Sequence, residues 1–283
     1  MRAVGPYACF PVGLGAMNLS FGGAPSRAEA IRVVHAALDA GVTLIDSADV
    51  YAPHADAVGH NEALLAEATR GRDVILATKG GVIRRGEDEW LHDGRPAHLE
   101  AACEASLRRL GREAIDLYYL HAVDDAVPIE ESVGALLRLR ERGWIREIGV
   151  SNVDRAQLER AASVAPIVAV QNEASPYRPG WERDGVLAWC EAQGAAFVAH
   201  SPMGGWRAGR TAHLSGLSAV ADEVGASPFQ VILAWLLESS DRVVPIAGAS
   251  RPESALSSVA AAALRLTETQ RRRVAGAVAE SAP

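Results

Sequence analysis

Four side chains in the first half of this chain have the types and spacing for proton chemistry: Asp46, Tyr51, Lys79 and His121. Three of them end runs that read as buried strands, Thr43-Leu44-Ile45-Asp46, Val74-Ile75-Leu76-Ala77-Thr78-Lys79 and Ile115-Asp116-Leu117-Tyr118-Tyr119-Leu120-His121, and Tyr51 lies in the turn after the first. An acid, a lysine and a histidine at successive strand ends meet only where those strands are parallel neighbours. A free tyrosine, with a pKa near ~10, is a poor acid at neutral pH, but an adjacent ammonium stabilises the phenolate and lowers that value. Lys79 is placed to supply the charge, Asp46 to keep the lysine protonated, and His121 to donate a hydrogen bond to an incoming oxygen. Such a set polarises a carbonyl and protonates the alkoxide that forms, with Tyr51 as general acid. Taken singly, each residue has a plainer reading: Asp46 as a turn cap, Lys79 as a rim lysine, Tyr51 as a loop aromatic, His121 as a hydrogen-bonded histidine at a barrel mouth. Their coincidence on consecutive strands is something packing does not require.

The elements that must position them alternate along the chain. Unalternated apolar runs, the mark of strands buried on both faces, fall at 11–15, 43–46, 74–78, 115–120, 147–150, 168–171, 196–199 and 243–247. Helices are predicted at 27–40, 61–69, 97–110, 130–142, after the Asp154-Arg155-Ala156-Gln157 cap, at 185–193, within a helical region 213–239, and from Pro252 onward. Ser26-Arg27-Ala28-Glu29 has the form of a capping box, and Gly41 closes the helix it opens. Residues 80–96 read as a long Gly- and charge-rich connection. Eight strands, each followed by helix, predict an α/β fold, a TIM (β/α)8 barrel in a single domain spanning 1–283. A doubly wound sheet would need G-x-G-x-x-G opening its first helix; Gly13-Leu14-Gly15-Ala16-Met17-Asn18 lacks the third glycine and stands apart from the helix.

Composition narrows the function classes. The chain has 283 residues, 49% of them apolar and 22% charged, and a barrel of about 250 residues is routinely one domain. A net charge of -7 with no basic stripe argues against nucleic acid as the main partner. Arg271-Arg272-Arg273 reads as a solvated helix face. Cys9, Cys103 and Cys190, odd in number and without C-x-x-C spacing, suit a reducing compartment. No run approaches the ~18 apolar residues of a membrane span, and the first ten residues lack a leader pattern. A cytoplasmic protein acting on a small molecule is expected, with no membrane partner; oligomeric state is not readable. His54, Asp56 and His60 share one loop, whereas a metal barrel draws ligands from several strand ends, so no metal is expected.

At this point the chain resembles a known family. GVTLIDSADVY, VILATKGG, IDLYYLH and IGVSN are similar to the aldo-keto reductases, and the likeness continues through VQNEA, AHSPMGG and VVPIAGASRPES, from Gly13 to about Ser258. The resemblance implies a barrel that binds NADPH, or NADH, without a Rossmann fold, and a catalytic tetrad of Asp46, Tyr51 as general acid, Lys79 and His121. It also implies that Ser151, Asn152 and Gln171 hold the nicotinamide carboxamide, and that Ser201, Met203 and Gly204 lie along the pyrophosphate. Gly248, Ser250 and Arg251 would sit near the adenosine phosphate, with Met17 approaching the cofactor from the first strand and Asp46 near it.

Some positions depart from the family. His200 stands where an aromatic, often tyrosine, stacks under the nicotinamide, Ser254 where an arginine often clamps the 2′-phosphate, and Ser258 where an asparagine meets the adenine. Ala174 stands where many relatives carry an aromatic, which implies a wider pocket there. On the residues alone, Ser151-Asn152 suit an amide or a turn equally, and Arg251-Pro252 suit an anion at a helix N-terminus or a surface ion pair. Trp90 and Trp206 are placed to line a substrate pocket or to anchor loops. The expected activity is NAD(P)H-dependent reduction of an aldehyde or ketone, or the reverse oxidation. The alternatives are a nicotinamide-binding sensor with little turnover and a metal-dependent hydrolase or isomerase barrel.

Overall fold

The computed structural model describes residues 1–87, 89–178 and 180–280; Asp88, in the predicted 80–96 connection, lies outside them. The chain opens with an antiparallel hairpin, β1 (Arg2–Val4) and β2 (Tyr7–Cys9), followed by β3 (Gly13–Gly15), α1 (Arg27–Asp39), β4 (Leu44–Asp46), α2 (His60–Ala68) and β5 (Ile75–Gly80). A second hairpin, β6 (Val82–Arg84) and β7 (Trp90–His92), precedes α3 (Pro96–Leu110), β8 (Ile115–Leu120), α4 (Ile129–Glu141), β9 (Ile145–Ser151), α5 (Arg155–Ala162), β10 (Ala169–Glu173), α6 (Val186–Gln193) and β11 (Ala196–His200). The chain then forms α7 (Ala208–Thr211), α8 (Ser215–Val224), α9 (Pro228–Ser239), β12 (Val243–Gly248), α10 (Pro252–Ala260) and α11 (Glu268–Glu280).

Strands β3, β4, β5, β8, β9, β10, β11 and β12 pair in that order, all parallel, and β12 closes onto β3. This is the expected (β/α)8 barrel. Alternate residues of each strand point opposite ways, and both faces are apolar. Leu44, Ala77, Tyr119, Ala169, Val198 and Ile246 pack inside the barrel, where Val4 and Cys9 of the N-terminal hairpin join them. The intervening Ile45, Leu76, Tyr118, Val170 and Phe197 belong to the layer shared with the helices. Tyr119 explains one glycine: a side chain at Gly149 on the adjacent strand would strike its ring.

The capping boxes predicted at Ser26 and Asp154 are both formed. Four features differ from expectation. The N-terminal hairpin has no counterpart among the expected elements, and residues 80–96 contain a second hairpin. Residues 213–239 form two helices, because Gly225 at φ 65° ends α8 and Ser227 caps α9 with Pro228 in its first turn. A further helix, α11, follows α10, and its arginine run is paired, Arg271 and Arg272 with Glu268 and Arg273 with Glu223. Among the described residues no single helix is long and apolar enough to cross a membrane. Only α8 and α9 together reach that length, bent by 92° at their break.

Candidate active site

Alternation carries the inward series of each strand out past the C-terminal mouth of the barrel. Two residues beyond Leu44 stands Asp46, beyond Ala77 Lys79, beyond Tyr119 His121, beyond Ala169 Gln171, beyond Val198 His200, and beyond Ile246 Gly248. These expected site residues therefore converge because they share one parity. The register helps: Asp46 lies opposite Ala77, Lys79 opposite Tyr119, and Gln171 opposite Ser151.

Lys79 is wholly buried. Its Nζ donates to Asp46 Oδ2 at 2.6 Å and to the Ser47 carbonyl at 2.7 Å. Gln171 Nε2 donates to the other carboxylate oxygen, Oδ1, at 2.7 Å. Ser47 is itself fixed, its hydroxyl donating at 2.7 Å to Asn61 Oδ1, while the Asn61 amide donates to the Ala16 carbonyl at 2.8 Å. The Tyr51 ring centre lies 5.2 Å from Lys79 Nζ and meets the His121 ring edge-on at 6.0 Å. Asp49, in the turn between Asp46 and Tyr51, ties that turn to its surroundings: its N–H donates to the Lys79 carbonyl and its carbonyl accepts from Gly59.

The electrostatics follow from burial. Burial pushes the Asp46 carboxyl up, against the pull of Lys79 and Gln171. Burial also works against the Lys79 ammonium, but Asp46 and Tyr51 outweigh it and hold the lysine above its ordinary value. Tyr51 departs from expectation. Lys79 does pull its phenol down, yet burial is the larger effect and the net displacement is upward. A phenol raised in this way is protonated at neutral pH, the form a proton donor needs. Burial, reinforced by the Lys79 charge and by His200 and His92, drives His121 well below the usual imidazole range. The ring is therefore neutral and donates through a single N–H.

A second cluster surrounds Asn152. Its Nδ2 donates to the His121 carbonyl at 2.9 Å and to Ser151 Oγ at 3.1 Å, and Ser151 Oγ donates to the Gln171 carbonyl at 2.7 Å. With its nitrogen committed, Asn152 Oδ1 can only accept, so His200 Nε2, 3.2 Å away, carries the imidazole proton. His200 Nδ1 then accepts from Ser201 Oγ at 3.2 Å. Burial, with Lys79 and Arg178, lowers His200 to about 4, consistent with a neutral ring. Asn152 and Ser201 adopt left-handed backbone, φ 56° and 51°, unusual for residues with a side chain. Such strain gathers where a site demands it.

These groups border a cavity of about 580 Å³. Asp46, Tyr51, His121, Ser151, Asn152 and Gln171 line it, as do Met17, His200, Ser201, Met203 and Gly248. Trp90 and Trp206 both reach it, Trp206 remaining 82% exposed. Lys79 is sealed beneath. Gly204, Ser250 and Arg251 do not line the cavity: Gly204 precedes Gly205, which does, and Ser250 and Arg251 are exposed at the N-terminus of α10, just beyond Gly248. Sequence reasoning missed Phe21, Val82 and Asn18 on the wall and Arg84 behind it. Their only signal was position, in the connections after the first and third barrel strands, on the face where such sites form. Gly248 leaves room for Asn18, whose amide nitrogen would lie 2.7 Å from an added Cβ and would have to shift to admit one.

The donor set fits a nicotinamide dinucleotide: the Ser151, Asn152 and Gln171 amide cluster, the neutral ring of His200, the turn from Ser201 to Gly205, and an exposed Arg251 at a helix start. No group of His, Cys, Asp or Glu among the described residues is arranged to hold a metal ion; His60 instead shares a hydrogen bond with Ser20.

The aldo/keto reductase family profile matches residues 11–279. The chain belongs to the aldo/keto reductase family. It is 32% identical to a probable aldo-keto reductase of Glycine max, with 94% of this chain and 85% of that protein covered. Among solved structures it is similar to a glycerol dehydrogenase from Gluconobacter oxydans, with TM-score 0.86 and 26% identity over 99% of this chain and 94% of that one. It is also similar to an aldo/keto reductase from Klebsiella pneumoniae in complex with NADP and acetate, with TM-score 0.79 and 28% identity over 92% and 88% of the two chains. Membership makes the chain an oxidoreductase acting between carbonyl and alcohol. As an aldo/keto reductase it differs from expectation at Ala174. That residue is fully buried and does not line the cavity. Ser258 is half-buried on α10, its hydroxyl donating to the Ser254 carbonyl one turn back at 3.1 Å.

Proposed function

We propose that this protein is an NADPH-dependent reductase of aldehydes or ketones, able to run the reverse oxidation, in which Tyr51 is the general acid. The observation that carries the reading is the Lys79 ammonium, held by Asp46 and the Ser47 carbonyl beneath the Tyr51 ring at the foot of a cavity with an amide-lined side. Asn152, Ser151 and Gln171 would hold the nicotinamide amide, His200 would lie under the ring, and the Ser201 to Gly205 turn would follow the pyrophosphate. Ser250 and Arg251 would meet the adenosine phosphate. When bound, the reduced cofactor supplies the hydride to the carbonyl carbon.

The chain's own residues do the rest. His121, neutral, donates to the carbonyl oxygen and orients it towards the Tyr51 hydroxyl. As negative charge builds on that oxygen, Tyr51 gives up its proton and the phenolate forms beside Lys79. The ammonium then offers the stabilisation that the neutral phenol used only in part. Asp46, desolvated and hydrogen-bonded on both oxygens, keeps that ammonium in place and charged.

The test is a fluorescence titration with NADPH and with NADH, followed by a panel of carbonyl compounds against wild type and Tyr51→Phe. Quenching by NADPH and a fall in kcat of about 10²- to 10⁴-fold in Tyr51→Phe, with cofactor affinity kept, are expected. Cofactor binding with turnover unchanged by Tyr51→Phe would remove the acid role. No response to either cofactor would end the reductase reading.

A further inference from the structure

Behind the cavity wall, Arg84 does something the proposed reaction leaves unassigned. Its side chain is 3% exposed, and its guanidinium carbon lies 5.0 Å from the Phe21 ring centre and 5.3 Å from that of Trp90. The two rings are themselves stacked, 5.8 Å apart at 29°, and Phe21 meets Tyr51 edge-on at 5.9 Å. Arg84 Nη1 donates to the Ala52 carbonyl and Nη2 to Glu87, each at 2.6 Å. One buried guanidinium thus ties together the connection after β3, the turn that carries Tyr51, and the β6–β7 hairpin. Among the described residues no lysine or arginine lines the cavity, and the one carboxylate that does, Asp46, is already paired with Lys79.

We infer that Arg84 is a positioning residue that sets specificity: it holds Phe21 and Trp90 as a rigid aromatic wall beside Tyr51, selecting uncharged, planar aryl carbonyl substrates. The inference rests on the reductase reading and names its substrate class. A flat ring gains from a fixed aromatic face what a saturated ring does not, and an anionic substrate would enter without a cation to meet it. The cation face of Arg84 matters as much as its hydrogen bonds, since a guanidinium stacks on aromatic rings in a way an ammonium does not.

The experiment compares kcat/KM for benzaldehyde, cyclohexanecarbaldehyde and 4-carboxybenzaldehyde, with NADPH, in wild type, Arg84→Met, Arg84→Lys and Trp90→Leu. The first two aldehydes differ in intrinsic reactivity, so the readout is the change in their ratio between proteins. In Arg84→Met the benzaldehyde preference is expected to fall by about two- to tenfold, the range an aromatic pair spans. The fall should arise through KM more than kcat, with NADPH affinity kept. Arg84→Lys should not restore the ratio. Trp90→Leu alters a ring that is 41% exposed, so it must give the same fall even where Arg84→Met does not fold. In wild type, 4-carboxybenzaldehyde should be at least about tenfold poorer than benzaldehyde. An unchanged ratio in both Arg84→Met and Trp90→Leu, or equal use of the charged aldehyde, overturns the inference while leaving the reductase reading intact. Failure to reduce any of the three aldehydes would overturn the inference, and failure across the whole panel of carbonyl compounds would overturn both.

Discussion

Replacing Lys79 by methionine should expose how the centre of the site is held. The Asp46 and Lys79 side chains are 4% and 1% exposed, so water cannot take the place of the lost ammonium. Asp46 would keep only the hydrogen bond from Gln171. Removing one member of a buried pair costs about 3–5 kcal/mol, a large share of the about 5–15 kcal/mol that holds a domain folded. The double variant Asp46→Asn/Lys79→Met removes the charge with its partner and should regain most of that loss. The deficit of the single variant has a defined pH dependence. Without Lys79 the folded pKa of Asp46 rises further above its unfolded value of about 3.9. A raised carboxyl contributes its full stability below the unfolded pKa and loses it as pH climbs through the folded one. The single and double variants should therefore be equally stable in acid and diverge towards neutral pH. Urea unfolding followed by tryptophan fluorescence at both pH values makes the comparison. A single variant as stable as wild type at neutral pH, or a double variant as weak as the single, would refute the argument that an unpaired buried charge is what Lys79 prevents.

Three other outcomes are expected. The rate of carbonyl reduction should show no inflection near the ordinary imidazole pKa, because His121 lies well below it, and no loss from Tyr51 up to about pH 9, because its phenol is raised; a pH profile of kcat/KM with an inflection near 6.5 that vanishes in His121→Gln would contradict this. His200, lowered to about 4, contributes stability that is present above its unfolded pKa of about 6.5 and lost as pH falls towards 4, at most about 3 kcal/mol. His200→Phe should therefore flatten the acid side of the stability curve, read as urea midpoints. Arg251→Ala should weaken NADPH by about tenfold and leave NADH unchanged, the size of one exposed charge-assisted contact; equal affinities before and after would place the phosphate elsewhere.

What could be read before the structure follows from one period. Asp46, Lys79, His121, Gln171, His200 and Gly248 continue the inward side of their strands, and parallel pairing sets those strand ends side by side. Residue type and parity together therefore identify the mouth of the barrel. The same logic does not reach the hairpin outside the barrel, whose strands lie in a Gly- and charge-rich connection and not in an apolar run. Val82-Ile83-Arg84 and Trp90-Leu91-His92 are too short for a periodic signal, and they read as loop until their pairing is seen. The break between α8 and α9 was legible in principle, since Ser227-Pro228-Phe229-Gln230 repeats the grammar that opens α1, but the apolar character on either side of it masked the stop.

The sign of the Tyr51 shift was out of reach for a different reason. It is a balance between burial and the Lys79 charge, and a sequence announces the charge while leaving the depth of burial unstated. Phe21 and Arg84 are the strongest case. They are 63 positions apart if counted along the chain, and neither has a motif, because each acquires its role only when the barrel closes and brings the connection after β3 against the β6–β7 hairpin. Strand ends fix the proton chemistry by period and register; the loops that meet above them fix what may approach it. Selectivity should for that reason respond to substitutions at Phe21, Arg84 and Trp90 that leave the geometry of Asp46 and Lys79 undisturbed.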